Sequence, residues 1–335
     1  ANLARAKDWP GSMLTTATHD HKRGEDVRAR LAVLSERPEV WATRVRPWLA
    51  GAPPQIDPAD AYQMHQTLAG ALPLDLDMDD AAELKVFGER VTGWFTKALR
   101  EGKLRSSWAV PNADYERACL AYLDHCLGDR AYLSALSGLV EEIAPAGAIK
   151  GLAQALLRCT SPGVPDTYQG TELWDFSLVD PDNRRPVDFA LRQQMLSQTS
   201  PENALADWRS GAVKQMVIAR TLGLRRARPD VFAQGSYEPL QVEGRQKDAV
   251  IAFARRTATD TVIAAAVIGS PTALARGLPL PDPEWWHDTV VKLTADQGVS
   301  FRDHLSDQAH TAGAVPAAKL FAHLPVALLA LEPQG

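Results

Sequence analysis

The sequence predicts an α+β multidomain chain: a short strand near the start, a long helical middle and an antiparallel β-sandwich at the end. Three observations carry this. Residues 38–160 place apolar side chains at helical spacing between punctuating prolines. Beyond about residue 232, short apolar runs alternate with turn residues, as strands do. The chain has 335 residues, more than one domain usually holds, so two or more units are expected.

Taken in order, residues 13–18 read as a Thr-rich strand that runs into His19-Asp20. A polar pair at a strand end is where barrel enzymes place chemistry. From Glu25 the pattern is helical, with Val27, Leu31 and Leu34 on one face. Pro38, Pro47, Pro53, Pro54 and Pro73 divide the next stretch into short helices. Asp57 before Pro58 reads as an N-cap, and Asn112 as another. Residues 80–101 form a longer amphipathic helix, with Leu84, Phe87, Val91, Trp94, Phe95 and Ala98 on its apolar face. The apolar stretch 149–157 is expected to pack deep.

Residues 159–170 hold two prolines and two glycines around a short extended piece, and 171–186 form a polar loop. Helix returns at 187–197 and 211–227. The second ends in Arg225, Arg226 and Arg228, whose charge suits a helix C-terminus. Strands are expected at 248–255, 261–268, 289–293 and 325–331.

Net charge is −5, with both signs interspersed and no basic stripe, which argues against nucleic acid as a partner. No apolar run is long enough to span a bilayer, and the first residues do not resemble a signal peptide. Cys119, Cys126 and Cys159 are too few and too sparse for a disulfide framework. They read as free thiols in a reducing, cytoplasmic setting, with no metal site. The Asp180–Asn183 stretch is carboxylate-rich, but its spacing does not match a calcium loop.

Three strings carry chemistry. The first runs from Thr18-His19-Asp20-His21-Lys22-Arg23-Gly24-Glu25-Asp26-Val27 to Arg28-Ala29-Arg30. The second is Gly163-Val164-Pro165-Asp166-Thr167-Tyr168-Gln169-Gly170-Thr171-Glu172, and the third Asp180-Pro181-Asp182-Asn183-Arg184-Arg185-Pro186. The strand ending in His-Asp resembles the fourth conserved region of α-amylase-type glycoside hydrolases. Together the strings resemble the maltooligosyltrehalose synthase family, with His21 standing where Thr is expected. Weaker similarity includes Lys97-Ala98-Leu99-Arg100-Glu101 and Ser107-Trp108.

The resemblance implies the C-terminal part of a (β/α)8 barrel. Residues 1–37 would hold the seventh strand and the start of its helix, and 38–160 a helical insertion. Residues 161–231 would hold the eighth strand, an active-site loop and closing helices, and 232–335 the β-sandwich. It implies transfer within a maltooligosaccharide, from an α-1,4 to an α,α-1,1 linkage, with no cofactor. Asp20 would be the carboxylate that stabilises the transition state, and His19 would hold a sugar hydroxyl beside it. Lys22, Arg23, Tyr168, Gln169, Trp174 and Arg185 would grip the sugar. The nucleophile and acid/base would lie on earlier strands. The upstream half of the barrel is therefore expected as a partner, and the chain alone is expected to be inactive. Alternatives are another amylase-type hydrolase or transglycosylase, or a non-catalytic glucan-binding fragment.

Several residues have simpler readings. Glu25 and Asp26 sit in a first helical turn, where acids are favoured. Arg28 and Arg30 read as ion-pair partners. Trp94 reads as core, and so does the Trp285-Trp286 pair; Trp174, in the polar loop, is the better stacking candidate.

Overall fold

The computed structural model describes residues 1–295 and 298–332. In chain order the first seven helices are α1 (Asn2–Asp8), α2 (Glu25–Glu36), α3 (Pro38–Ala50), α4 (Pro58–Ala71), α5 (Ala81–Gly102), α6 (Ala113–Gly128) and α7 (Arg130–Thr160). Two further long helices are α8 (Phe189–Gln198) and, after short turns, α9 (Ala212–Ala227). The chain divides into two units. One comprises Ala1–Thr18, Ala148–Trp174 and Val187–Gly335; the other comprises His19–Gly147 and Asp175–Pro186.

The second unit is helical, and its starts are written locally. The Asp57 carboxylate accepts from Ala59 N at 2.8 Å, the Asp80 carboxylate from Ala82 N at 2.7 Å, and Asn112 Oδ1 from Tyr115 N at 3.2 Å. Each satisfies an N–H that the helix leaves without a partner. α5 buries Phe87, Val91, Trp94 and Phe95 of the face its periodicity predicts, together with Leu99, while Leu84 and Ala98 are half-buried. Beside it lies an aromatic cluster of Trp41, Trp48, Tyr62, Tyr122 and Tyr132 around His65.

Pro47 does not divide the chain as expected, since α3 continues through it, and α7 likewise runs 31 residues through Pro145. An interior proline costs about 3 kcal/mol. Burial of Leu136, Leu139, Val140, Ile143, Ile149, Leu152 and Leu156 along the helix offsets that.

In the first unit, β1 (Met13–Leu14) and β2 (Val164–Pro165) pair in parallel, Met13 opposite Val164 and Leu14 opposite Pro165. The strand expected over 13–18 is thus only two residues long. Its ladder ends where Asp166 N meets Leu14 O at 2.8 Å. Thr15 Oγ1 then turns back on Ala17 O at 2.6 Å, a local bond that competes with further pairing.

The rest of this unit is antiparallel. The strands are β3 (Glu238–Pro239), β4 (Val242–Glu243), β5 (Val250–Arg256), β6 (Thr261–Val267), β7 (Val290–Leu293), β8 (Ser300–Asp303), β9 (Ala309–Thr311), β10 (Gly313–Pro316) and β11 (Val326–Leu331). Six form one sheet in the order β3-β5-β6-β11-β8-β9, and three form another in the order β10-β7-β4. The four expected strands are present; β3, β4, β8, β9 and β10 are short or polar and carry no apolar run. All seven residues of β6 are buried, which explains its unbroken apolar sequence. Trp286 is 1% exposed and stacks on Phe321 at 5.3 Å, with Trp285 packed alongside, so the pair is core.

Candidate active site

The loop from His19 to Gly24 is held by its backbone. Lys22 O accepts from Trp94 Nε1 at 3.1 Å and from Val179 N at 3.3 Å. His19 O accepts from Asn183 Nδ2 at 2.8 Å, and Gly24 N donates to Ser177 O at 2.8 Å. A side chain at Gly24 could not be accommodated: its Cβ would lie 2.5 Å from Asp175 O.

Gly24 cannot cap α2, and Asp175 does so from 150 residues away. Its carboxylate accepts from Glu25 N at 3.1 Å, its carbonyl from Asp26 N at 3.2 Å, and its own N–H donates to Asp26 Oδ2 at 2.7 Å. Negative charge here also meets the positive end of the helix dipole. Glu25 and Asp26 are buried, which supports their structural reading. Arg30 is buried too, with Nη1 donating to Gly70 O at 3.0 Å and Leu72 O at 2.7 Å, and its guanidinium 3.9 Å from the Phe176 ring.

With the backbone fixed, the side chains diverge. Asp20 points outward and is 68% exposed; Lys22 Nζ lies 3.3 Å from its Oδ1 and 3.1 Å from Glu101 Oε2. The Lys22 ammonium holds the Asp20 carboxyl below the usual range. Glu101, first, and Asp20 raise the Lys22 ammonium against the opposing effect of its partial burial. Burial pushes the neighbouring His21 imidazole down. Arg23 turns the other way. Its Nη2 donates to Thr67 Oγ1 at 2.7 Å, and its guanidinium lies 5.4 Å from the Trp94 ring. Lys22, Arg23, Gln63, Trp94, Lys97 and Glu101 line a cleft of about 530 Å³.

Arg185, also in this unit, is exposed and donates from Nε to Asp182 O at 3.0 Å. His19, Asp20, Lys22, Arg23 and Arg185 therefore share the helical unit, while Tyr168, Gln169 and Trp174 belong to the other. There, Tyr168 is half-buried and its carbonyl accepts from Thr171 Oγ1 at 2.8 Å, while Gln169 is exposed. Glu172 pairs with Arg192 at 3.2 Å. Trp174 is half-buried, its Nε1 donating to Trp208 O at 2.6 Å and its ring 5.8 Å from Lys214 Nζ.

Sequence reasoning passed over Asp175 as the cap of α2 and Asp182 as the partner of Arg90, and named Glu101 without a role. The signal for Glu101 was present: Trp94, Lys97, Ala98 and Glu101 follow the i, i+3, i+4, i+7 spacing of one helix face. Cys119, Cys126 and Cys159 are buried free thiols, and burial pushes the first two up to about 11. Among the described residues no group of three or more His, Cys, Asp or Glu is gathered to hold a metal. Among the same residues no helix is long and apolar enough to cross a membrane.

Over nearly all its length, this chain is similar to trehalose-forming synthases. It is 38% identical over 330 residues to a candidate maltooligosyl trehalose synthase of Mycobacterium tuberculosis, covering 97% of this chain and 38% of that protein. The structure of maltooligosyltrehalose synthase from Arthrobacter ramosus matches with a TM-score of 0.77 at 34% identity, over 99% of this chain and 40% of that one. A hypothetical maltooligosyl trehalose synthase of Sulfolobus tokodaii matches with a TM-score of 0.73 at 28% identity, over 95% and 38%. No family model matches the chain. The resemblance read from the three strings is borne out by these likenesses. The chain spans about two fifths of the length of the relatives it matches.

Proposed function

We propose that this chain is part of a maltooligosyltrehalose synthase, acting on the reducing end of a maltooligosaccharide. In that reaction the bond between the anomeric carbon of the penultimate glucose and O4 of the last glucose breaks. The same carbon then bonds to the anomeric oxygen of the released glucose. That hydroxyl gives up a proton, O4 gains one, and no water is consumed.

The observation that carries the reading is the exposed Asp20 carboxylate, paired with Lys22 on a loop whose backbone is pinned. The departing bond leaves positive charge on the anomeric carbon and ring oxygen. A fixed negative charge that meets the substrate most strongly at that moment raises the rate. His19, Lys22, Arg23 and Arg185 are proposed to hold the glucose while it turns. Retention of the released sugar favours rejoining over hydrolysis.

The nucleophile and acid/base are given to none of Glu25, Asp26 and Glu172. The first two are buried at the start of α2, and the third is committed to Arg192. Both roles are proposed to come from an upstream barrel portion. The parallel pair β1 and β2 supports reading residues 1–37 and 161–231 as holding the last two barrel strands. Residues 38–160 would then be an insertion and 232–335 a closing sandwich.

The test follows reducing-end loss from maltohexaose with glucose release in parallel, using this chain alone and mixed with a separately made upstream portion. Reducing-end loss in the mixture only, abolished by Asp20→Asn, is expected. Glucose release without a non-reducing product would instead make the protein a hydrolase, and loss by the chain alone would overturn the division of carboxylates.

A further inference from the structure

Four charged side chains alternate along one edge of the cleft beside Asp20. Lys97 Nζ lies 3.7 Å from Glu101 Oε1, Glu101 Oε2 lies 3.1 Å from Lys22 Nζ, and Lys22 Nζ lies 3.3 Å from Asp20 Oδ1. Exposed ion pairs taken singly contribute little to stability. Here, however, the geometry constrains more than a single pair would.

α5 is 22 residues long, and Trp94 and Glu101 lie two turns apart on the same face of it. Trp94 Nε1 grips the carbonyl of Lys22, while Glu101 meets the ammonium of that same residue. One helix therefore holds both ends of Lys22. Glu101 is itself oriented, because its two oxygens are addressed separately, Oε1 by Lys97 and Oε2 by Lys22. The Lys97 side chain is only 19% exposed, so its end of the chain of charges is the less mobile.

We propose that Glu101 is a positioning residue, holding the Lys22 ammonium midway between itself and Asp20 so that Asp20 keeps its charge available to the sugar. The proposal deepens the functional reading above and rests on it for the sugar. An ammonium has three N–H groups. Two are aimed at the carboxylates, and the third is the one assigned to a sugar hydroxyl. Without Glu101 the ammonium would collapse onto Asp20 and mask the carboxylate that faces the developing positive charge. The Lys22 ammonium is raised most by Glu101, in keeping with that division. The other charged groups around the cleft are His19, Arg23 and Arg28 from the loop and the start of α2, and Lys97 from α5.

The test has two readouts. In the first, the Asp20 side-chain carboxyl is titrated by carbon NMR in this chain, without substrate. Glu101→Gln is expected to lower its midpoint by about 0.3 pH unit or more, because Lys22 then has Asp20 alone. In a Lys22→Met background the same change is expected to move it by less than about 0.1 unit. Equal shifts in both backgrounds, or none in either, would overturn the proposal, since Glu101 would then act only as a distant charge.

The second readout uses the chain with its upstream portion. Glu101→Gln is expected to lower kcat on maltohexaose about tenfold with KM changed less than about twofold, and Glu101→Asp to recover part of the loss. A rise in KM with kcat intact would overturn it. The first readout needs no activity, so an inactive mixture would count against the functional reading while the coupling stayed measurable.

Discussion

Arg90 and Asp182, 92 positions apart in sequence, meet through two parallel hydrogen bonds, Nε to Oδ1 at 2.9 Å and Nη2 to Oδ2 at 3.1 Å. Their side chains are 13% and 6% exposed, so solvent screens this pair little. Arg90 also donates to Phe176 O, and Asp182 accepts from Leu178 N at 2.8 Å. The pair thus ties α5 to the segment that carries Asn183, whose amide holds the carbonyl of His19.

Arg90→Ala is therefore expected to cost about 2 kcal/mol, because it leaves a buried carboxylate with only the exposed Arg185, whose Nε lies 2.9 Å from Asp182 Oδ1, as its cation. Arg90→Lys is expected to recover less than half, since an ammonium cannot reproduce the planar fork. Urea unfolding of the three proteins checks this. A loss under about 1 kcal/mol for Arg90→Ala would mean that the pair is not structurally important.

His65 makes the helical unit sensitive to acid. Tyr122 gives its hydroxyl proton to Trp48 O at 2.7 Å, so it must accept from His65 Nε2 at 3.2 Å. That leaves Nδ1 to accept from the Tyr132 hydroxyl at 2.8 Å. A second ring proton would face a donor, and burial opposes the charge as well; burial pushes the His65 pKa down to about 4.

The folded value thus lies below the unfolded one of about 6.5. Above that pH neither state carries the proton and nothing is lost. As pH falls from about 6.5 to 4, the unfolded chain binds a proton that the folded chain refuses, and stability falls by up to about 3 kcal/mol. Comparing the pH dependence of urea stability in the wild type and His65→Leu isolates this contribution. The wild type should lose more between pH 7 and 4, and parallel curves would refute the assignment.

Arg255 has a comparable role in the β-rich unit. It is 2% exposed, and its guanidinium donates to the carbonyls of Ser236 at 2.9 Å, Thr160 at 3.3 Å, Phe232 at 2.9 Å and Gly235 at 3.0 Å. Burial, with nearby Arg225, pushes its pKa down to about 10. The charge is nevertheless retained at neutral pH, because four carbonyl dipoles point at it. Arg255→Met keeps much of the volume but removes every donor. It is expected to cost about 3 kcal/mol or more, seen as a fall in the thermal midpoint. An unchanged midpoint would show that water replaces the guanidinium at no cost.

The helices beginning at Pro58 and Ala113 were legible because each is announced by a cap that bonds two or three residues ahead, and the one beginning at Ala81 because of its apolar face. The buried strands β5, β6, β7 and β11 were legible for a similar reason: strands buried among others are written as short apolar runs. The His19–Arg23 string was recognisable because its residue types and order are distinctive together.

The remaining features depended on pairs far apart in sequence. Asp175 caps α2 across 150 positions, and Arg225 was read as a helix-end charge but donates to Cys159 O at 3.2 Å and Gly163 O at 2.7 Å. Glu101 reaches Lys22 only because α5 lies against the loop. The shortness of β1 depended on where β2 diverges from it. Local hydrogen bonds and hydrophobic periods are properties of neighbouring residues, so the sequence alone determined the helix starts, the buried strands and the chemical character of the loop. Which carboxylate meets which cation is set by how the helices pack, and only the tertiary structure decided it.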